Sequence, residues 1–183
     1  NVESLNLEGV GIKFDRHGIR VNQKLQTANS RIYACGDVLG GYRFAGVANY
    51  EARIALKNML FFSLFKVDYR HLAWAIFSEP ELARVGLTEE QAKSRYDDVL
   101  VLRRYFKSVD KAQMLGENTG FCKIVVRKNG EILGAHLVGL QAGELIGPIA
   151  LAKSQGLKIN AIANLSTAFP TLSEITSQTA SEW

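Results

Sequence analysis

Asn129-Gly130 separates two runs whose side chains alternate between faces, and this dipeptide constrains the fold more than any other feature of the 183-residue chain. Asn and Gly enter left-handed backbone at low cost, so the pair closes a tight turn between antiparallel strands. Before it, Phe121 to Arg127 puts Phe121, Lys123, Val125 and Arg127 on one face and Cys122, Ile124 and Val126 on the other. After it, Ile132 to Leu140 returns as the partner strand. An isolated hairpin is marginal in water, so further strands must join it. Val99 to Phe106 offers one, and two short apolar runs between His71 and Leu87, split by the turn signal Ser78-Glu79-Pro80-Glu81, offer two more. Helices fill the remainder. Thr88 with Gln91 three residues on has capping-box spacing and opens a helix ending near Arg95 or Tyr96. Ala142 to Gln155 is helical and is closed by Gly156; Pro148 inside it must kink the helix or start a second segment. A last helix runs from about Thr171 to Glu182. The fold class is α+β, an antiparallel sheet with flanking helices.

The first third reads differently. Asp15, His17 and Gly18 make a polar turn leading into a short strand at Gly18–Val21. Arg31 to Asp37 reads as a short buried strand stopped by Gly36-Asp37. Gly40 and Gly41 extend the loop, and a helix follows over roughly Ala45 to Leu64, with Ala48, Ala52, Ala55, Leu56 and Met59 as its apolar face. Strand, Gly-Asp, glycine-rich loop and helix together bring backbone and a helix N-terminus close to a ligand. With so few strands, this piece cannot close a core alone; it belongs to a larger domain or packs on the second part.

Composition excludes several classes. With 47% hydrophobic residues and a net charge of +4 the chain is globular, and 3 Pro and 2 Cys rule out collagen-like and disulfide-stapled folds. No Lys/Arg cluster points to nucleic acid. The longest interval without a charge, Ile159 to Ser173, is studded with Asn, Ser and Thr, so no membrane partner is expected. Cys35 and Cys122 each lie in an apolar run, far apart in sequence, and read as small buried residues. His17 and His71 read as surface residues, and His136 as a satisfied sheet residue; no metal site is expected. The chain begins with Asn, in mid-pattern, and carries no signal-peptide pattern, so a cytoplasmic fragment of a longer protein is expected.

Ile32-Tyr33-Ala34-Cys35-Gly36-Asp37-Val38, followed by Phe44-Ala45-Gly46-Val47-Ala48-Asn49-Tyr50-Glu51-Ala52, resembles the second flavin-binding motif of the pyridine nucleotide–disulfide oxidoreductases. Gly18-Ile19-Arg20-Val21 and Leu25-Gln26-Thr27 resemble the approach to that motif. Phe77 to Glu89 resembles the opening of that family's dimerisation domain, Gly134-Ala135-His136-Leu137-Val138-Gly139 and Ala142-Gly143-Glu144-Leu145-Ile146 its middle, and Phe169-Pro170-Thr171-Leu172-Ser173-Glu174 its close. The resemblance implies that residues 1–67 end an FAD-binding α/β domain and that residues 68–183 form an interface domain through which the protein is a homodimer. It implies that Asp37, after Gly36, accepts a hydrogen bond from a ribityl hydroxyl of FAD, and that the helix opening at Phe44 and Ala45 aims backbone N–H groups at the flavin pyrimidine edge. Leu145, Ile146 and Ile149 would lie near the subunit contact. NADH or NADPH would be the electron donor, bound outside this chain, because the first FAD motif, the second dinucleotide fold and the redox cysteine pair are not in it. The chain by itself would be inactive.

The closing motif departs from the disulfide reductases of the family. There a His begins the motif and a Glu five residues on orients it, supplying an acid/base for the thiol. Here Phe169 stands first while Glu174 remains, so Glu174 is the catalytic candidate left in the motif. Mercuric reductases also have Phe-Pro in a similar motif, which draws the resemblance toward them or toward a relative of unknown substrate, with a dihydrolipoamide-dehydrogenase-like enzyme kept beside them. Their C-terminal cysteine pair has no counterpart in Thr179–Trp183, which leaves open a native end elsewhere or another substrate. The competing reading is a stand-alone, non-catalytic dimerisation module; such a module has no need of Gly36-Asp37.

Overall fold

The computed structural model describes residues 2–183, which divide into two compact units, one ending at Asp68 and the other spanning Tyr69–Trp183. The second is built on a five-stranded antiparallel sheet in the order β3 (Ala73–Ile76), β4 (Glu81–Gly86), β7 (Ile132–Gly139), β6 (Phe121–Arg127) and β5 (Val99–Tyr105). The β6–β7 turn closes as expected at Asn129-Gly130. Gly130 donates to the Arg127 carbonyl and has φ +82, so the left-handed residue completes a three-residue loop.

One sheet face is dry. Ala83, Val85, Cys122, Ile124, Val126, Ala135 and Leu137 point into a core completed by α4 (Ala142–Ser154), α5 (Ile159–Ala163) and α6 (Glu174–Ala180). Ala112, on the short α3 (Asp110–Leu115), joins the same core. The other face is covered at one end by α2 (Glu89–Lys93), where Ala92 meets Val125 and Leu133. A register shift between Val125 and Val126 accompanies that contact. The alternation read from the sequence holds, yet Val125 is as buried as its neighbours, because α2 closes over it.

Thr88 and Gln91 form the expected capping box: the Gln91 N–H donates to Thr88 Oγ1 at 3.1 Å, and the Thr88 N–H donates to Gln91 Oε1 at 3.0 Å. Pro148 neither ends α4 nor starts a new helix. The carbonyl it leaves without an intrahelical N–H partner is that of Glu144, an exposed residue of the helix. Leu145, Ile146 and Ile149 were expected at a subunit contact but face the chain's own core, and the outward side of α4 carries Gly147, Pro148 and Leu151. The last helix is shorter than the pattern predicts. Thr171 Oγ1 donates to the Ala168 carbonyl and meets Ser173 Oγ, so the hydroxyls hold a turn where helix was expected.

In the first unit, β1 (Phe14–Asp15) and β2 (Gly18–Ile19) form a two-stranded ribbon. The strand expected over Arg31–Asp37 is absent as a strand. The segment is extended but pairs only through the bridge Gln26–Tyr33 and the bonds between Thr27 and Ile32 and between Ala34 and Leu25, too few for a ladder. A 3-10 helix, Gly36–Leu39, follows directly. Then comes α1 (Ala45–Leu60), four residues shorter than predicted, since the segment after Leu60 turns back on it. The buried face of α1 is Val47, Glu51, Ile54, Ala55 and Asn58; Leu56 and Met59, expected inside, are exposed. Asn58 explains the shift. Its amide donates to the Lys24 and Phe65 carbonyls at 3.0 and 2.8 Å and accepts the Phe65 N–H at 3.0 Å, tying the helix to two other segments.

Candidate functional site

The Gly36-Asp37 turn is fixed by its neighbours. Gly36 has φ +78, and a Cβ there would come within 3.1 Å of the Ala48 Cβ on α1, so glycine is needed for both conformation and space. Gly40, at φ +74, closes the 3-10 turn by donating to the Asp37 carbonyl, and any side chain on it would strike the His17 carbonyl. Asp37 is exposed, its carboxylate at the surface of this turn. The Gly36 N–H, by contrast, points inward and donates to Glu51 Oε2 at 2.6 Å. Phe44 is the N-cap of α1 in extended conformation, and its carbonyl accepts from Val47 and Ala48, leaving the first N–H groups of the helix, Ala45 among them, at an exposed end.

Sequence reasoning brought Gly36, Asp37, Phe44 and Ala45 together but assigned Glu51 no role. The available signal was the spacing of Val47, Glu51, Ile54, Ala55 and Asn58, a helical stripe that includes two polar residues. Cys35, beside the turn, is half-buried; burial, and then the negative charge of Glu51, push its thiol up.

In the second unit, Glu174 Oε1 accepts the Thr171 N–H at 2.9 Å, so this half-buried carboxylate is engaged by its own turn, neither simply solvated nor orienting a histidine. Phe169 is 70% exposed. Cys122 is fully buried, and loss of solvation pushes its thiol up to about 12, as expected of an inert core cysteine. His17 is exposed as expected, but His71 is half-buried. His136 is not the satisfied residue expected: neither Nδ1 nor Nε2 has a hydrogen-bond partner among the described residues. It faces Arg84 and Lys123 on the adjoining strands, and burial, followed by these two cations, holds its pKa down at about 4. Among the described residues no group of three His, Cys, Asp or Glu is placed to hold a metal ion, and no helix is long and apolar enough to cross a membrane.

The antiparallel layer of Tyr69–Trp183, with the helices α4, α5 and α6 gathered on one face, defines an α+β sheet domain. Residues 72–180 match the pyridine nucleotide-disulphide oxidoreductase dimerisation domain. The chain belongs to the pyridine nucleotide-disulphide oxidoreductase family. A mercuric reductase of Staphylococcus aureus is 39% identical over 176 residues, which are 95% of this chain and 32% of that one. A dihydrolipoyl dehydrogenase of Bacillus subtilis (strain 168) is 37% identical over 182 residues, 98% of this chain and 38% of its own. Among solved structures, LpdA (Rv3303c) from Mycobacterium tuberculosis matches with a TM-score of 0.90 at 30% identity, covering 100% of this chain and 40% of that one. The Cu(II) complex of the HOCl-induced flavoprotein disulfide reductase RclA from Escherichia coli matches with a TM-score of 0.89 at 27% identity, over 97% of this chain and 41% of the other. The chain therefore spans about a third to two fifths of the length of these relatives.

Proposed function

We propose that this chain is the carboxyl-terminal part of a longer, homodimeric, cytoplasmic oxidoreductase that uses FAD and draws electrons from NADH or NADPH. The observation that carries this reading is the Gly36-Asp37 turn held against α1, with an exposed carboxylate and an exposed helix N-terminus in the same unit. These residues fit one side of a flavin. Asp37 would accept a ribityl hydroxyl in a charge-assisted hydrogen bond. The N–H groups opening α1 at Ala45 and beyond would face the pyrimidine edge, where the positive end of the helix dipole favours negative charge. FAD, when bound, supplies the electron transfer; the chain's own residues bind it, orient it and present a dimer surface. Residues 68–183 would supply that surface, with the outward side of α4, where Leu151 is 62% exposed, as its apolar strip.

The acceptor is read from Phe169 and Glu174. Phenylalanine moves no proton, and Glu174 is occupied by the Thr171 N–H. The closing motif therefore suits an acceptor that needs no proton from it, such as a thiolate-bound metal ion, better than a disulfide. A stand-alone dimerisation module is the second reading, favoured by the confinement of the domain match to residues 72–180. The Gly36-Asp37 turn counts against it.

The test uses the longer protein. It should sediment as a dimer at micromolar concentration, purify with FAD, and reduce dihydrolipoamide or glutathione disulfide poorly. Phe169→His should raise disulfide turnover, by up to about the 10²–10⁴-fold that a positioned acid/base contributes. A monomeric, flavin-free protein would sink the enzyme reading. Ordinary disulfide turnover by the wild type would remove the support for a metal-ion acceptor.

A further inference from the structure

Glu51 is 4% exposed, on a helix face otherwise made of Val47, Ile54, Ala55 and Asn58. A carboxylate is costly in such a place unless its oxygens are well bonded. One bond is the short one to the Gly36 N–H, at 2.6 Å and between residues 15 apart in sequence. That N–H is the leading donor of the 3-10 helix carrying Asp37, and Cys35 at its N-cap offers it no side-chain acceptor. An acidic side chain on another element therefore caps this turn, as a local Asp or Ser caps an ordinary helix. One turn of α1 earlier, Ala48 packs directly against Gly36. The helix thus grips the turn twice, by contact at Ala48 and by a charge-assisted hydrogen bond at Glu51.

The two parts of the flavin site, the Asp37 carboxylate and the N-terminus of α1, come from different elements. Their relative position is set where those elements are joined. We infer that Glu51 is the positioning residue of the flavin site: its bond to Gly36 locks the Asp37 turn onto the helix whose N-terminus faces the same cofactor. The inference rests on the flavin reading above. The role needs an acceptor at the reach of a Glu side chain. A glutamine in its place would keep the acceptor without the charge, whereas an aspartate would keep the charge and fall short by one methylene.

The experiment compares Glu51→Ala, Glu51→Gln, Glu51→Asp and Asp37→Ala in the longer flavoprotein. Each apoprotein is titrated with FAD, and the visible circular dichroism of the bound flavin is recorded beside the melting temperature of the apoprotein. Glu51→Ala and Glu51→Asp should bind FAD about 10- to 100-fold more weakly, the loss expected when the buried Gly36 N–H is left without its acceptor. Their flavin dichroism should change. Glu51→Gln should bind within about threefold of wild type and keep the wild-type dichroism, and a general packing role would instead lower the apoprotein melting temperature of Glu51→Asp while leaving its flavin affinity and dichroism unchanged. If Glu51→Ala fails to fold, Glu51→Asp and Glu51→Gln decide the matter. Wild-type affinity and dichroism in Glu51→Asp overturn the inference, and so does a Glu51→Gln as weak as Glu51→Asp. Asp37→Ala separates the two failures. If it loses FAD while the Glu51 variants do not, only the positioning role falls; if it also binds normally, the flavin reading falls and takes the inference with it.

Discussion

Residues 69–183 and residues 2–68 solve the same packing problem with different means. The second unit has 22 buried apolar residues in one connected core, from Ala83 on β4 to Ala180 on α6. The first has two small clusters, Leu7, Ile12, Ile19 and Ala34 in one and Leu25, Ile54 and Ala55 in the other. At the end of α1 its larger apolar groups are outside: Phe61 is 69% exposed, Phe62 85% and Leu64 73%. What closes the first unit is polar. Asn58 clamps Lys24 and Phe65, Glu51 clamps Gly36, and the Asp68 N–H donates to the Tyr50 hydroxyl at 2.8 Å. A large apolar core tolerates the loss of any one bond, whereas a unit held by a few buried polar clamps does not.

The comparison breaks most decisively if the two units prove equally stable. Residues 69–183 should fold cooperatively alone, and residues 1–68 should not. Both tryptophans, Trp74 and Trp183, lie in the second unit, so in a urea titration their fluorescence should change after the helical signal of α1 has begun to fall. A single transition, coincident by both probes, would erase the contrast. Next come two substitutions, one in each unit. Ile124→Ala, in the middle of the sheet, should cost about 2–5 kcal/mol and move only the later transition. Asn58→Ala should cost about 1–3 kcal/mol, from unsatisfied backbone groups at Phe65 and Lys24, and move only the earlier one. A shift of both transitions by either change would show that the units unfold together.

A smaller effect belongs to His136. Its folded pKa is depressed to about 4 from the usual 6.5, so the neutral ring is the one the fold accepts. Above pH 6.5 neither state binds the proton and the stability is intact. As the pH falls from 6.5 toward 4, the unfolded chain takes up a proton that the folded sheet refuses, and stability declines. Lys123 and Arg84 face the ring from β6 and β4, and Glu89 on α2 acts the other way. Discounted for partial exposure, the loss is on the order of 1 kcal/mol. His136→Gln should flatten the melting temperature of the second unit between pH 6.5 and 5; an unchanged slope would assign it to carboxylates. The smallest change expected is Thr88→Ala, which removes one side of the capping box at α2 and should lower the stability of the same unit by about 0.5–1 kcal/mol.

The resemblance found in the sequence reached the family because its motifs are local and ordered along the chain, from Gly36-Asp37 to Phe169–Glu174. It could not reach the orientation of Leu145, Ile146 and Ile149. An apolar helical stripe has the same spacing whether it meets its own sheet or another subunit. Nor could it find Glu51 among the site residues, because an acidic residue in an apolar stripe reads as a break in the pattern until its acceptor is seen bonded to a turn 15 residues earlier.

By itself the sequence determined the Asn129-Gly130 turn, the Thr88–Gln91 capping box and the Gly156 helix stop. Each closes its hydrogen bonds within a few residues of itself, so its chemistry is complete in a short window. The tertiary structure alone decided which face of α1 is buried, why Val125 is dry on what would otherwise be the open side of the sheet, and why His136 lies between two cations without a partner. Those outcomes depend on which distant segment arrives at a given face. Burial and the electrostatic cost of an unpaired group are properties of the assembled neighbourhood, and no short stretch of chain contains them.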